Sequence, residues 1–356
     1  MNDSPAFLVS LLDAAGPSGF EIEAAGIWRA EAESFADSVT RDVIGNTLAT
    51  VNPDGHPRVM FAGHIDEIGL QVTHIDEDGF LYIDRIGGWD PQVLVGQRVK
   101  ILGRTGEVRG VVGRKAIHLQ KADERKKATE ISKLWVDVGV GSRAEATALG
   151  LRVGDAMVID AVMVSLAGDR IASRAVDNRI GAYVVLEALR VLSSASPTAS
   201  AVAVATVQEE IGGVGGGGAR TSAFGLEPDV ALVVDVTFST DVPDIEKKEL
   251  GEHRLGGGPV LSRGSAVHPV VFERLLEVAE AEGIPHTIQA AARSTSTDAD
   301  SIYLTRSGVP TGLMSVPNRY MHSPNEMVSL SDLEFTARLL AAFVLSLDRD
   351  TDFTPR

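Results

Sequence analysis

The chain has 356 residues, 44% of them hydrophobic, no cysteine and a formal net charge of −16, with a sequence pI near 4.9. The length exceeds the roughly 100 to 200 residues of an ordinary domain, and the acidic balance excludes nucleic acid as a partner, because a phosphate backbone is held by clustered Lys and Arg. With no thiols there is no disulfide framework, and a metal is left to His, Asp and Glu.

The first residues form no basic leader segment, Asp13 interrupts their apolar run, and no run reaches the roughly 18 residues of a membrane span. No membrane partner is expected, and the chain reads as a soluble cytoplasmic protein. Phe7, Leu8, Leu11, Leu12 and Ala15 recur at helical spacing behind Ser4-Pro5, and Gly16-Pro17-Ser18-Gly19 ends that helix. A second helix is expected over about residues 21–35, followed by strands over about 42–51 and 58–62. The second strand runs into Gly63-His64-Ile65-Asp66-Glu67. In an extended chain His64 and Asp66 point the same way, so the aspartate can orient a metal-binding imidazole. The plain alternative is a structural histidine at a strand end.

From about residue 70 to 167 the texture changes to short alternating segments separated by glycine, such as GLQVTHI, GFLYIDRI and GEVRGVVG. Strands of this length and spacing predict a small β-barrel or sandwich inserted into an α/β domain. Within it the chain returns to a strand over about 129–137 and makes one or two helical turns over about 144–149. His74 and His118 stand away from any acidic cluster and read as packing or surface residues. Arg125-Lys126-Lys127, flanked by Asp123, Glu124 and Glu130, reads as a solvated loop.

The α/β pattern resumes at Ile171, and Asp177 falls between an extended segment and a helix over about 182–192. An Asp at such a junction caps the helix or bridges two metals. Residues 201–207, AVAVATV, carry no charge and predict a strand buried on both faces of a mostly parallel sheet. Gln208-Glu209-Glu210-Ile211-Gly212 follow it. Ligands of open α/β sheets bind at such carboxyl ends, and adjacent acids there repel each other unless cations or a shared proton hold them. A solvated glutamate pair is the other reading. Asp235 closes a further uncharged run, Ala231 to Val234. A helix over about 270–282 precedes Ser296-Thr297-Asp298-Ala299-Asp300. A strand over about 311–316 precedes Arg319-Tyr320-Met321-His322-Ser323-Pro324-Asn325-Glu326, and a helix over about 330–347, with Ser331 and Asp332 near its start, closes the chain.

His64, Asp177, Glu210, Asp235 and His322 form a set of two imidazoles and three carboxylates at strand ends and loops, which suits two divalent cations bridged by one carboxylate. Gly213-x-Gly215-x-x-Gly218 fits a dinucleotide fingerprint, but the glutamates just upstream would repel a pyrophosphate. A glycosidase acid pair is poorly served by neighbouring residues and by 5% aromatic content. A non-enzymatic scaffold would have no reason to keep all five ligand types.

The order of GPSGFE, AGHIDEIG, AVDNRIG, QEEIG, VVDVT, STDAD and NRYMHSPNE over nearly the whole chain resembles the M42 metallopeptidases. These are cobalt- or zinc-dependent aminopeptidases, some of whose relatives have been labelled endoglucanases. The resemblance implies two divalent metal ions per subunit, Zn or Co with Mn as a third option. His64 and Asp235 then complete one metal site, Glu210 and His322 the other, and Asp177 bridges them; Glu209 matches the general base and Asp66 the residue that orients His64. It also implies a catalytic domain over 1–69 and 168–356, with a mostly parallel mixed sheet flanked by helices, and an inserted β-rich dimerisation domain over 70–167. The expected substrates are short peptides with a free N-terminus, and the expected state is a homo-oligomer whose dimers build a hollow dodecamer. A carboxypeptidase or N-deacylase on the same core is the alternative, and a glycoside hydrolase a remote one. Two departures from the family pattern stand out: GVGGGGA after Gly212, and Ser296 where glycine is usual.

Overall fold

The computed structural model describes residues 4–212 and 217–355. After the helices Ala6–Asp13 and Ile22–Ala32, the strands in chain order are β1 (Ser38–Arg41), β2 (Thr47–Val51), β3 (Arg58–His64), β4 (Gly69–Ile75), β5 (Leu81–Ile86), β6 (Arg98–Gly103), β7 (Gly106–Gly113), β8 (Trp135–Asp137) and β9 (Ala156–Ile159). There follow β10 (Val164–Ser165), β11 (Arg170–Ser173), β12 (Ser200–Thr206), β13 (Val230–Phe238), β14 (Val260–Arg263), β15 (Thr287–Ala290), β16 (Thr311–Asn318) and β17 (Glu326–Ser329).

The main sheet has the order β1-β2-β12-β3-β13-β16-β14-β15. Its centre, β12-β3-β13-β16, is parallel, and the antiparallel pairs lie toward the edges. This is the mixed sheet flanked by helices that the sequence predicts. Alternate residues of the central strands feed opposite faces: Val59 and Phe61 pack with Leu186, Leu189 and Leu340, whereas Met60 and Ala62 pack with Ala219, Ala223 and Ile302. Helix Val176–Ala195 lies so close to β3 that a Cβ on Gly63 would stand 2.5 Å from the Gly181 carbonyl carbon. Only glycine permits that approach, which brings the start of the helix beside His64.

Between β3 and β11 the chain builds a closed antiparallel barrel, β4-β5-β8-β7-β6-β9, around its own core of Leu70, Leu81, Val99, Ile101, Val136 and Met157. A three-stranded sheet, β10-β11-β17, pairs Ser173 with Glu326.

The structure moves several expected boundaries. The strand expected from 42 starts at Thr47, because the Asp42 carboxylate accepts the amides of Ile44, Gly45 and Asn46 and bends the chain. The return over 129–137 narrows to Trp135–Asp137 behind the short helical turn Ile131–Lys133. β13 does not stop at Asp235 but runs on to Phe238. His74 stacks on Tyr82 with ring centroids 5.9 Å apart, and His118 is exposed. Among the described residues no helix is long and apolar enough to cross a membrane.

Candidate active site

The carboxyl ends of the central strands converge on one cleft, as the topology of an open α/β sheet directs. His64 is the last residue of β3 and pairs in register with Thr206 of β12, so the turn carrying Glu209 and Glu210 leaves the sheet beside it. Asp235 lies within β13. Asp177 follows β11 in a break of helical geometry (φ −77°, ψ 108°), which turns its side chain from helix cap to cleft. His322 lies in the connection from β16 to β17. The structure thus brings all seven residues named from the sequence together.

Both imidazoles are held by Nδ1 and present Nε2 to the centre. His64 Nδ1 lies 3.2 Å from the Asp66 carbonyl and 3.4 Å from its Oδ1, while Nε2 is 3.2 Å from Asp177 Oδ1 and 3.7 Å from Glu209 Oε2. His322 Nδ1–H donates to the Gly88 carbonyl at 2.8 Å, and Nε2 stands 3.4 Å from both Asp177 Oδ2 and Glu210 Oε2. A donor at Nδ1 fixes the tautomer that leaves Nε2 free to ligate. One donor atom each from His64, Asp177 and Asp235 lie within 4.8 Å of one another, and so do those of Asp177, Glu210 and His322. Asp177 belongs to both groups, one oxygen toward each imidazole.

The turn of Glu209 is fixed through its backbone. Asp66 is fully buried and accepts the amides of Glu209 and Glu210, each at 3.1 Å, and the Ser18 hydroxyl. Glu21 accepts the preceding amide, that of Gln208, at 3.2 Å. Three consecutive amides therefore end on buried carboxylates, and Gln208 itself adopts φ 60°. Glu326 does the same for the other group, accepting the amides of Asp177 at 2.9 Å and His322 at 2.7 Å. Below them Glu67 pairs with Arg174 and with Arg179 at 2.8 Å, and the two guanidiniums take up the carbonyls of Asp13, Ala14, Leu11 and Ile65. Ser18, Glu21, Glu67 and Glu326 sit inside motifs visible in the sequence, yet nothing there signals which amide or guanidinium they meet.

The electrostatics are those of a crowd of acids. Burial, together with the charges of Asp235, Asp298 and Glu210, pushes Glu209 up to about 10 against the pull of His64. Burial also raises Asp235 well above the carboxylate range, raises Glu210, and lifts Asp298, which accepts the Thr206 hydroxyl, to about 6. Burial would raise Asp177 too, but its bonds to His322 and His64 outweigh it and hold the group below the usual range. Burial pulls His322 down, and Asp177 and Glu210 outweigh it, taking it to about 11. Buried acids in such excess over imidazoles call for added positive charge. Glu210 Oε1 is buried without a hydrogen-bond partner among the described residues. An orphaned carboxylate oxygen beside two imidazole–carboxylate groups fits divalent cations of the Zn, Co or Mn type.

Gly213 and Gly215 of the glycine stretch lie outside the described residues. Ser296 takes φ 56°, the left-handed conformation that glycine adopts without strain, and lines the cleft.

Comparison with known proteins identifies the family. Residues 45–339 match the model of the M42 glutamyl aminopeptidase family. The lysyl aminopeptidase of Pyrococcus furiosus is 37% identical over 324 residues, covering 91% of both chains. The TET aminopeptidase of the marine sediment archaeon Thaumarchaeota archaeon SCGC AB-539-E09 superposes with a TM-score of 0.90 at 35% identity, over 96% of each chain. The TET1 peptidase of Pyrococcus horikoshii, which can assemble into a tetrahedron or a large octahedral shell, superposes at 0.83 with 28% identity, over 96% of this chain and 99% of its own. The fold and site define a metal-dependent hydrolase of peptide bonds. The chain belongs to the M42 glutamyl aminopeptidase family and is an aminopeptidase.

Proposed function

We propose that the chain removes the N-terminal residue of short, unblocked peptides with two divalent cations, one held by His64, Asp177 and Asp235 and the other by Asp177, Glu210 and His322. The observation that carries this reading is the pair of three-donor groups sharing Asp177. When bound, two such ions lower the pKa of a water, polarise the scissile carbonyl and receive the free α-amine. Glu209, close to both groups, takes the proton of the attacking water and returns it to the departing amine. A carboxyl pushed up by burial and neighbouring acids becomes a carboxylate near neutral pH once cations offset that charge. Asp66 orients His64 and holds the amides of Glu209 and Glu210, so the base and a ligand share one support.

The same reading divides the chain into a catalytic unit of residues 1–69 and 168–356 and an assembly unit of 70–167, with dimers building a dodecamer. The tetrahedral TET1 assembly and the exposed Ile117 and Leu119 support it. A chain without cysteine suits a reducing cytoplasm as its site of action.

The test is exhaustive chelation followed by addition of Zn, Co or Mn, with paired free and N-acetylated peptides as substrates. The apoprotein should be inactive, each restoring metal should act at two equivalents per subunit, and only free N-termini should be cleaved. Full activity after chelation, or faster cleavage of acetylated peptides, would overturn the reading.

A further inference from the structure

We propose that this aminopeptidase takes uncharged N-terminal residues, aliphatic or amide-bearing, and discriminates against lysine, arginine, aspartate and glutamate. This rests on the two-metal reading and adds the class of residue removed. Two cavities flank the centre. One, of about 430 Å³, is lined by all five donor residues, whereas the other, of about 620 Å³, reaches only Glu209 and Glu210 among the seven. An α-amine held at the donors puts the side chain next to it in the first cavity.

The walls of that cavity come from β13, β14, β15 and β16, which contribute Val236, Thr237, Ser262, Gln289 and Leu313, and from the loop carrying Met321. Beyond the five donors and Glu209, no described residue lining it is charged or titratable. Its most polar wall group is an amide held in place, since the Thr237 hydroxyl donates to Gln289 Oε1 at 2.9 Å. Val236, Ser262, Leu313 and Ser315 are buried. A charged side chain directed at the β13–β16 walls would give up its water and meet no opposite charge there, since the acids, Glu209 included, stand at the centre beside the cations and the attacking water. A leucine or methionine would meet methyl groups, and a glutamine would find the Gln289 amide. The common fold does not impose this choice, for the Pyrococcus furiosus relative is named for lysine.

The experiment measures kcat/KM of the metal-loaded full-length protein on Leu, Met, Gln, Lys and Glu p-nitroanilides, alongside Gln289→Glu and Gln289→Lys with their bound metal assayed. The parent should favour Leu, Met and Gln by at least about tenfold over Lys and Glu. Gln289→Glu should raise the Lys-to-Leu ratio, and Gln289→Lys the Glu-to-Leu ratio, each by about fivefold or more at unchanged metal content. Lys or Glu turned over as fast as Leu by the parent overturns the proposal. Ratios that stay put in both variants overturn the assignment of the cavity. Turnover of none of the five by the metal-loaded protein would remove the two-metal reading on which the proposal rests, an outcome distinct from turnover with the wrong preference.

Discussion

Glu209 and Glu210 are neighbours in sequence with different surroundings. Glu210 faces His322 Nε2 at 3.4 Å and keeps a buried oxygen without a partner, while Glu209 is nearer the mouth of the cleft, its side chain 18% exposed, 3.7 Å from His64. Glu209→Gln keeps shape and removes the capacity to take a proton, so kcat should fall by roughly 10² to 10⁴ with both metals retained. Elemental analysis beside steady-state kinetics checks this; loss of metal in the variant would make Glu209 a ligand instead. His64, Asp66, Glu209, Glu210 and Asp235 stood out in the sequence because they follow uncharged runs closely, whereas Asp177 and His322 lie beyond Arg174 and Arg319 and were picked out with the help of the family resemblance. Ser18, Glu21 and Glu326 were not, because each acts through a bond to a distant partner. Glu21 meets an amide 187 residues away, and no local pattern encodes that.

At the scale of elements, the long uncharged strands were legible and the edges were not. β12 and β13 are buried along nearly their whole length; β12 and the first half of β13 read as continuous apolar runs, while Asp235 masks the continuation to Phe238. β14 and β15 are four-residue strands, VLSR and TIQA, beyond the parallel centre of the sheet; both are too short to stand out from loop, and β15, at the edge, is half-exposed as well. They matter nonetheless, since they wall the cavity beside the donors. The closing helix Leu330–Leu345 is tied to the approach to β14 by Asp332, whose buried carboxylate accepts the amides of Gly256 at 2.8 Å and Gly258 at 2.7 Å. Burial pushes this carboxyl up to about 6 in spite of those bonds. An unfolded Asp titrates near roughly 3.9. Between about pH 4 and 6 the folded chain therefore holds more of this proton than the unfolded one. Its contribution to stability falls as pH rises through that window and is flat above it. Asp332→Asn abolishes the titration and sets a donor against one glycine amide, so it should be less stable at pH 4 by about 1–3 kcal/mol. The gap to the parent should narrow by on the order of 2 kcal/mol by pH 7. Urea unfolding at both pH values reads it, and a gap that widened would show that the carboxyl is not raised.

For the whole molecule, the barrel between β3 and β11 was legible as a change of texture, but its closure and its reach into the cleft were not. It has its own core, and Ile117 and Leu119 lie 60% and 72% exposed on the loop beyond β7. Apolar side chains so open suit covering by another subunit. Removing residues 70–167 should leave dimers or monomers by light scattering and weaken metal retention, because His322 loses the Gly88 carbonyl. An unchanged large assembly would assign the contacts to the remainder of the chain. That carbonyl has a further consequence. Main-chain oxygen is supplied by every amino acid, and Gly88 cannot take a side chain cheaply, since a Cβ there would stand 2.9 Å from His322 Nδ1. Substitution scanning of the barrel surface should therefore leave turnover nearly untouched, whereas one residue inserted between Ile86 and Gly88 would displace the oxygen by roughly 3.5 Å and uncouple it from the imidazole. At this junction the constraint falls on spacing and on Gly88 alone: the barrel's outer surface can change its letters so long as the chain keeps its count.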